Sequence, residues 1–173
     1  YADYEDACNM NGVGHSNFMG DESLSFMHDM GQIESSIKGY DIVFVCNPNN
    51  PTGNLISAKQ LKILCGKFQE ILFVIDDSYL PFFRDSRNET MIDSGLSNVM
   101  VLYSMSKIFA VPGLRTGFLI ASRGHIERFQ RIHLPWNVNS MAQETVCYLM
   151  SRPSMIAAHI NKTVDFIENE KAI

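Results

Sequence analysis

Residues 104–117 have the sequence SMSKIFAVPGLRTG and follow the apolar run VMVLY at positions 99–103. A run of this length and composition predicts a buried parallel strand. Lys107 then lies where that strand leaves the sheet, which is the edge at which open α/β sheets carry their ligands. A lysine buried in a dry site would be a usable amine nucleophile. The segment therefore predicts both the fold class and a reactive centre.

The neighbours of Lys107 predict what the amine would act on. Ser104 and Ser106 offer hydroxyls at alternating positions, and Arg115 offers a cationic fork, so the three side chains form a candidate phosphate clamp. An amine beside such a clamp suggests a phosphorylated aldehyde held as a Schiff base. The predicted cofactor is pyridoxal 5'-phosphate.

A second predicted strand carries IVFVC at positions 42–46 and delivers the loop NPNNPTG at positions 47–53. The continuous apolar run predicts a strand covered on both faces. Asn-Pro steps keep asparagine out of helical geometry, and the prolines fix the turn. Asn47 is interpreted as part of that turn. A loop this constrained can hold the side-chain amide of Asn50 still enough to donate to a phenolate oxygen.

A third predicted strand, at positions 71–75, is followed by Asp76, Asp77, Ser78 and Tyr79. Adjacent acids after a strand usually form an exposed turn. Asp77 is accordingly expected to be solvated or to cap the loop. Three strand ends then present polar side chains to one edge of a sheet.

These segments together resemble the class I and II aminotransferase family of fold-type-I pyridoxal-phosphate enzymes. SMSKIFAVPGLRTGF is similar to the lysine segment of that family, and the sequence also contains its N-P-T-G and D-x-x-Y elements. The resemblance implies that Lys107 holds the cofactor as a Schiff base and moves protons, and that Asp76 pairs with the pyridine nitrogen. It further implies that Asn50 and Tyr79 donate to the ring oxygen, and that Ser104, Ser106 and Arg115 bind the phosphate. A buried carboxylate keeps the ring nitrogen protonated, which makes the ring an electron sink.

Motifs that would indicate other functions are incomplete in this sequence. Residues 104–107 also spell S-x-x-K, but the companion S-D-N and K-T-G elements of penicillin-binding enzymes do not occur in the chain. Residues 12–14, GVG, are only a fragment of a dinucleotide fingerprint. His125 and His133 have no second ligand at metal spacing, so no metal site is expected.

Strands that alternate with helices predict an α/β fold with a mostly parallel sheet covered by helices. Residues 1–150 are assigned to part of a cofactor-binding large domain, and residues 151–173 to a helix leading towards a small domain outside the sequence. The resemblance implies that the chain is a piece of a longer enzyme, a homodimer when intact.

The amino-acid composition and the net charge indicate which kinds of binding partner to expect. The chain has 46% hydrophobic and 19% charged residues and a net charge of -5, which argues against nucleic acid. It contains no apolar run that predicts a membrane span. The four cysteines are too widely spaced for a metal knuckle and are expected to be reduced core residues of a cytoplasmic protein. The expected partner is a small amino-acid substrate.

The reaction is left open by the sequence. CNPNNPTG at positions 46–53 and PWNVNSMAQ at positions 135–143 resemble two subgroups of the family, threonine-phosphate decarboxylase and histidinol-phosphate aminotransferase. The sequence pattern Pro-Trp-x-Val-Asn in the second segment favours the decarboxylase. A truncated, non-catalytic piece that binds the cofactor is the third alternative.

Overall fold

The computed structural model describes residues 2–27 and 29–171. The strands are β1 (Ile42–Cys46), β2 (Leu72–Asp76), β3 (Val99–Ser104) and β4 (Gly117–Ala121). They form one sheet in the order β1-β2-β3-β4. β1, β2 and β3 run parallel, and β4 is antiparallel to β3. The predicted α/β fold with a mostly parallel sheet is confirmed.

The helices surround and extend this sheet. They are α1 (Ala2–Met10), α2 (Met30–Ser36), α3 (Ala58–Lys67), α4 (Ser86–Glu89), α5 (Met105–Ile108), α6 (Arg123–Ile132), α7 (Ser140–Met150) and α8 (Pro153–Lys171). Short 3-10 turns occupy Glu22–Leu24, Leu80–Phe82 and Pro112–Leu114. Within the described ranges, no helix combines the length and the apolar character that crossing a bilayer requires.

The main core lies between α3 and one face of the sheet. Leu61 and Leu64 of α3 are buried against Phe73, Ile75 and Val101 of the central strands. α3 begins at a capping box, in which Ser57 accepts from the backbone of Gln60 and the Gln60 side chain accepts from the backbone of Ser57. Burial of each such apolar side chain contributes about 1.5–3 kcal/mol relative to exposure. The crossover helix therefore holds β1 and β2 in place.

The prediction that β1 is covered on both faces is wrong. Val43 and Val45 pack against the core, whereas Ile42 is 48% exposed and Phe44 is 43% exposed. β1 is the outer strand of the described sheet, and α3 covers one of its faces. On the other face, the ring of Tyr4 stacks on Phe44. The apolar run thus predicted the position of the strand correctly, but it did not predict that one face of the strand is partly exposed.

The four cysteine side chains differ in solvent exposure, whereas the sequence predicted core positions for all of them. All four are free thiols, and Cys65 is buried, Cys8 and Cys46 are half-buried and Cys147 is exposed. The expectation of a core position is therefore wrong for Cys147. Its helix, α7, is apolar in composition but buries only Ala142 fully among its described residues.

A single amide links α3 to the start of β2 and β3. The Nδ2 of the buried Asn98 lies 3.0 Å from the carbonyl oxygen of Cys65, 3.1 Å from that of Phe68 and 3.0 Å from that of Ile71. The last carbonyls of a helix have no partner inside the helix. The side chain of Asn98 therefore offers these carbonyls a buried donor, in addition to the backbone N–H of Ile71 that donates to the carbonyl of Phe68 at 3.1 Å.

Replacing Asn98 should destabilise the fold. Asn98→Ala leaves the carbonyls of Cys65, Phe68 and Ile71 without that donor, and we expect a loss of about 2–3 kcal/mol in the free energy of unfolding. Urea unfolding of the intact protein measures it. Asn11→Ala is the matched control, because the Asn11 amide makes one exposed bond to the Ala7 carbonyl. Equal losses in both variants would contradict this role.

Candidate functional site

The carboxyl ends of β1, β2 and β3 meet at one edge of the sheet. Cys46 pairs with Asp76 across β1 and β2, and Asp76 pairs with Leu102 across β2 and β3. The backbone N–H of Asp77 continues the ladder by donating to the carbonyl of Leu102 at 2.9 Å. The loops that leave these strands therefore begin side by side.

The loop after β1 is held by the side chain of Asn47. This residue is 1% exposed; its Oδ1 accepts from the backbone N–H of Ile56 at 2.8 Å and its Nδ2 donates to the carbonyl of Ile56 at 2.9 Å. Gly53 adopts a φ of +72° and donates to the carbonyl of Asn49 at 2.7 Å. Asn47 has the turn role expected of it, and the loop that carries Asn50 is closed on itself.

Three of the predicted site residues converge next to this loop. The Nδ2 of Asn50 donates to the phenolic oxygen of Tyr79 at 3.2 Å. The Nζ of Lys107 lies 5.8 Å from the centroid of the Tyr79 ring. An amide, a phenol and an amine from three different strand ends therefore occupy one small region.

The three residues of the predicted phosphate clamp, Ser104, Ser106 and Arg115, lie near one another. The Oγ atoms of Ser104 and Ser106 are 2.6 Å apart, and the Ser106 backbone N–H donates to the Ser104 hydroxyl. Both serines, together with Asp76 and Arg115, line one surface cavity. Hydroxyls and a guanidinium are donors suited to a phosphate dianion.

The wall of this cavity depends on Gly117. A Cβ at Gly117 would lie 2.7 Å from the carbonyl oxygen of Tyr103, so β4 approaches β3 as closely as only glycine permits. Arg115 precedes it in the left-handed region with a φ of +50°. This backbone turns the chain from the Pro112–Leu114 turn into β4 and places Arg115 at the cavity.

The expected burial of Lys107 is wrong. On α5 the side chains of Met105, Ser106 and Ile108 are buried, whereas that of Lys107 is exposed. Successive side chains of a helical turn point in different directions, so one of the four faces outward. The side chain of Lys107 is therefore accessible to solvent.

Two donors to the Asp76 carboxylate lie among the residues that the structure describes. Its Oδ1 accepts from the backbone N–H of Ser78 at 2.9 Å, and its Oδ2 accepts from the hydroxyl of Tyr4 at 2.6 Å. The sequence alone does not point to Tyr4, because no spacing rule connects residues that are 72 positions apart. Ser78, a turn-forming residue two positions after Asp76, is a local signal that the sequence does contain.

Another unassigned residue supports the lysine turn. The Nε2 of His159 on α8 lies 2.8 Å from the carbonyl oxygen of Ile108, the residue after Lys107. The imidazole ring also stacks on Phe109, with ring centroids 5.7 Å apart. The long last helix therefore contacts the segment that carries the amine.

Asp77 was expected either to be solvated or to cap the loop, and the first alternative is wrong, whereas its bond to Thr90 of the loop before β3 agrees with the second. Asp77 is 1% exposed, and its Oδ2 accepts from the hydroxyl of Thr90 at 2.7 Å. Burial raises the pKa of this carboxyl to about 6. Because side chains alternate along extended chain, Asp77 points away from the side that Asp76 faces. The two adjacent acids thus have separate environments.

Comparison with known proteins places the chain in a family. Residues 1–172 match the family model "Aminotransferase class I and II". The chain belongs to the class I and II aminotransferases, a family of enzymes that use pyridoxal phosphate.

Individual relatives agree with this assignment. The chain is 32% identical over 165 residues to a histidinol-phosphate aminotransferase of Parabacteroides distasonis, covering 94% of this chain and 46% of that protein. It is similar to the crystal structure of L-threonine-O-3-phosphate decarboxylase from Porphyromonas gingivalis, with a TM-score of 0.80 and 30% identity, covering 100% of this chain and 52% of that one. The histidinol-phosphate aminotransferase structure from Clostridium acetobutylicum gives a TM-score of 0.81 at 25% identity, covering 99% of this chain and 51% of that one. The chain spans less than half the length of the curated relatives it matches.

The residues present fit the family's cofactor chemically. The Ser104, Ser106 and Arg115 side chains suit its phosphate, the Asn50 and Tyr79 donors suit its ring oxygen, and the Asp76 carboxylate suits a protonated ring nitrogen. The amine of Lys107 lies 5.8 Å from the centroid of the Tyr79 ring.

Asp77 should make stability depend on pH. Its ordinary pKa is 3.8 and its folded pKa is about 6, so the folded state binds more protons between these values. The free energy of unfolding should therefore fall as the pH rises from about 4 to about 6. Asp77→Asn removes this titration and keeps an acceptor for Thr90.

We expect Asp77→Asn to be more stable than the parent at pH 7, by on the order of 2–3 kcal/mol, and nearly equal to it at pH 4. Urea unfolding of the apoprotein at a series of pH values measures the difference. Asp93→Asn, at an exposed position, is the control. A constant difference across this pH range would contradict a raised pKa of Asp77 in the folded state.

Proposed function

We propose that the intact protein is a pyridoxal-phosphate-dependent enzyme that acts on a phosphorylated amino acid or amine, with Lys107 as its reactive amine. One observation carries the proposal: the Nζ of Lys107 lies 5.8 Å from the centroid of the Tyr79 ring, and Lys107 directly follows Ser106, which lines a cavity together with Ser104 and Arg115. A nucleophile, a hydrogen-bonded phenol and a phosphate clamp are the parts that a bound aldehyde phosphate requires.

Pyridoxal phosphate, when bound, supplies an aldehyde for amines and a ring that accepts electron density. Lys107 supplies the amine for that aldehyde and afterwards a base that moves a proton at the substrate carbon. Asp76 holds a proton on the ring nitrogen. Asn50 and Tyr79 donate to the ring oxygen, and Ser104, Ser106 and Arg115 hold the phosphate.

The same proposal makes the intact protein a homodimer. Of the described residues that line the cavity, Arg115 is the one cation. A phosphate dianion beside a single exposed guanidinium is incompletely neutralised. A partner subunit that adds donors to this open cavity would complete the clamp.

Two substrates fit, and both carry a phosphate ester. We favour the decarboxylation of threonine phosphate, because similarity to the Porphyromonas gingivalis decarboxylase covers the whole chain at 30% identity. Transamination of histidinol phosphate is the second candidate, favoured by curated relatives of that activity that are 30% to 32% identical.

Lys107 should carry the covalent cofactor. Borohydride reduction of the intact, cofactor-loaded protein should attach the cofactor to the peptide that contains Lys107, as read by mass spectrometry. Lys107→Ala should lower turnover by about 10²–10⁴-fold or more, since it removes both the amine and the acid/base group. Lys62→Ala is the matched control, because Lys62 is also exposed but lies on α3. A label on any other lysine would contradict the proposal.

The two candidate reactions differ in their products. With threonine phosphate we expect release of CO₂ without any need for a 2-oxo acid. With histidinol phosphate, which has no carboxyl group to lose, transfer of the amine requires a 2-oxo acid as acceptor. Measuring CO₂ and amino-acid formation with both substrates decides between them. Amine transfer from histidinol phosphate without CO₂ release from threonine phosphate would reject the decarboxylase assignment.

A further inference from the structure

The hydrogen bond between Tyr4 and Asp76 is a long-range contact that no motif accounts for. The hydroxyl of Tyr4, on α1, lies 2.6 Å from the Oδ2 of Asp76, the last residue of β2. The other carboxylate oxygen accepts from the backbone N–H of Ser78 at 2.9 Å. Donors from two separate segments therefore fix the plane of the Asp76 carboxylate.

The ring of Tyr4 is itself held in place. It stacks on Phe44 of β1, with ring centroids 4.9 Å apart and planes inclined by 18°. Phe44 precedes Cys46 by two positions, and Cys46 is the residue that pairs with Asp76 across the sheet. Stacking on Phe44 of the neighbouring strand thus places the Tyr4 hydroxyl beside the Asp76 carboxylate. A rigid aromatic side chain loses little conformational entropy in such an arrangement.

We propose that Tyr4 is a positioning residue that orients the Asp76 carboxylate towards the ring nitrogen of the cofactor. The inference rests on the function proposed above, in which Asp76 pairs with that nitrogen. An ionised carboxylate has about four lone-pair directions. Bonds from Tyr4 and Ser78 occupy part of this capacity and leave the remainder to accept from a protonated ring nitrogen.

A purely structural role is the competing explanation. In that case, the Tyr4 hydroxyl only ties α1 to the sheet, and its loss affects folding without affecting the cofactor. A positioning role acts through Asp76, so the effect of losing the hydroxyl must depend on the presence of the Asp76 carboxylate. A double-mutant cycle measures that dependence.

The experiment compares Tyr4→Phe, Asp76→Asn and the double variant in the intact protein. Tyr40→Phe is the matched control, because the Tyr40 hydroxyl pairs with the exposed Ser16 hydroxyl at 2.6 Å. The readouts are the dissociation constant of pyridoxal phosphate from the apoprotein, the visible absorption band of the bound cofactor, kcat and KM, and thermal unfolding of the apoprotein.

We expect Tyr4→Phe to lower kcat by about tenfold, as for loss of one hydrogen bond to a charged group, with KM changed by less than about threefold. The cofactor dissociation constant should rise and its absorption band should shift. The Tyr40→Phe control should match the parent in every readout. In the Asp76→Asn background, Tyr4→Phe should have no further effect on kcat, affinity or spectrum.

Two results would overturn the inference. Equal effects of Tyr4→Phe with and without the Asp76 carboxylate would show that the tyrosine acts independently. A lowered unfolding temperature with unchanged affinity and spectrum would show a structural tie only. The function proposed above is tested separately by the single variant Asp76→Asn. If that variant keeps the turnover and the spectrum of the unmodified protein, the pairing of Asp76 with the ring nitrogen is rejected.

Discussion

Parallel pairing of β1, β2 and β3 is the constraint on which the site depends. Parallel strands all end at the same edge, and the register places Cys46, Asp76 and Leu102 in one row. Each strand therefore releases its polar loop beside the others. The core between α3 and the sheet maintains this register, because a slip of one residue would exchange buried and exposed side chains along the strand.

Hydrogen bonds to backbone and side chains then convert this edge into a site. Asn47 closes the loop that carries Asn50, and Ser78 accepts from the Ser104 backbone N–H at 3.2 Å. His159 contacts the turn that carries Lys107. Through these contacts, residues from distant parts of the chain fix the orientation of the loops that carry the candidate site residues. The amine of Lys107 remains exposed among them.

The sequence points to residues that the structure brings together at the three strand ends. Asn50 and Tyr79 were expected to share a target, and their side chains are hydrogen-bonded to each other. It failed where the environment depends on distant residues. Asp77 was expected to be solvated or to cap the loop, and it is buried with Thr90 as its donor. Lys107 was expected to be buried, and it is exposed. Neither burial nor exposure follows from residue type, because each depends on which elements pack nearby.

By itself the sequence determined the strands, the helices, the mostly parallel sheet and the residues at three strand ends, since apolar runs, capping residues and proline act over a few positions. Only the tertiary structure decided the open face of β1, the burial of Asp77 and the pairing of Tyr4 with Asp76. These features arise between segments that are far apart in the chain, and local patterns carry no information on them. The physical reason is that burial and long-range hydrogen bonding are properties of packed elements, whereas propensity and periodicity are properties of the segments themselves.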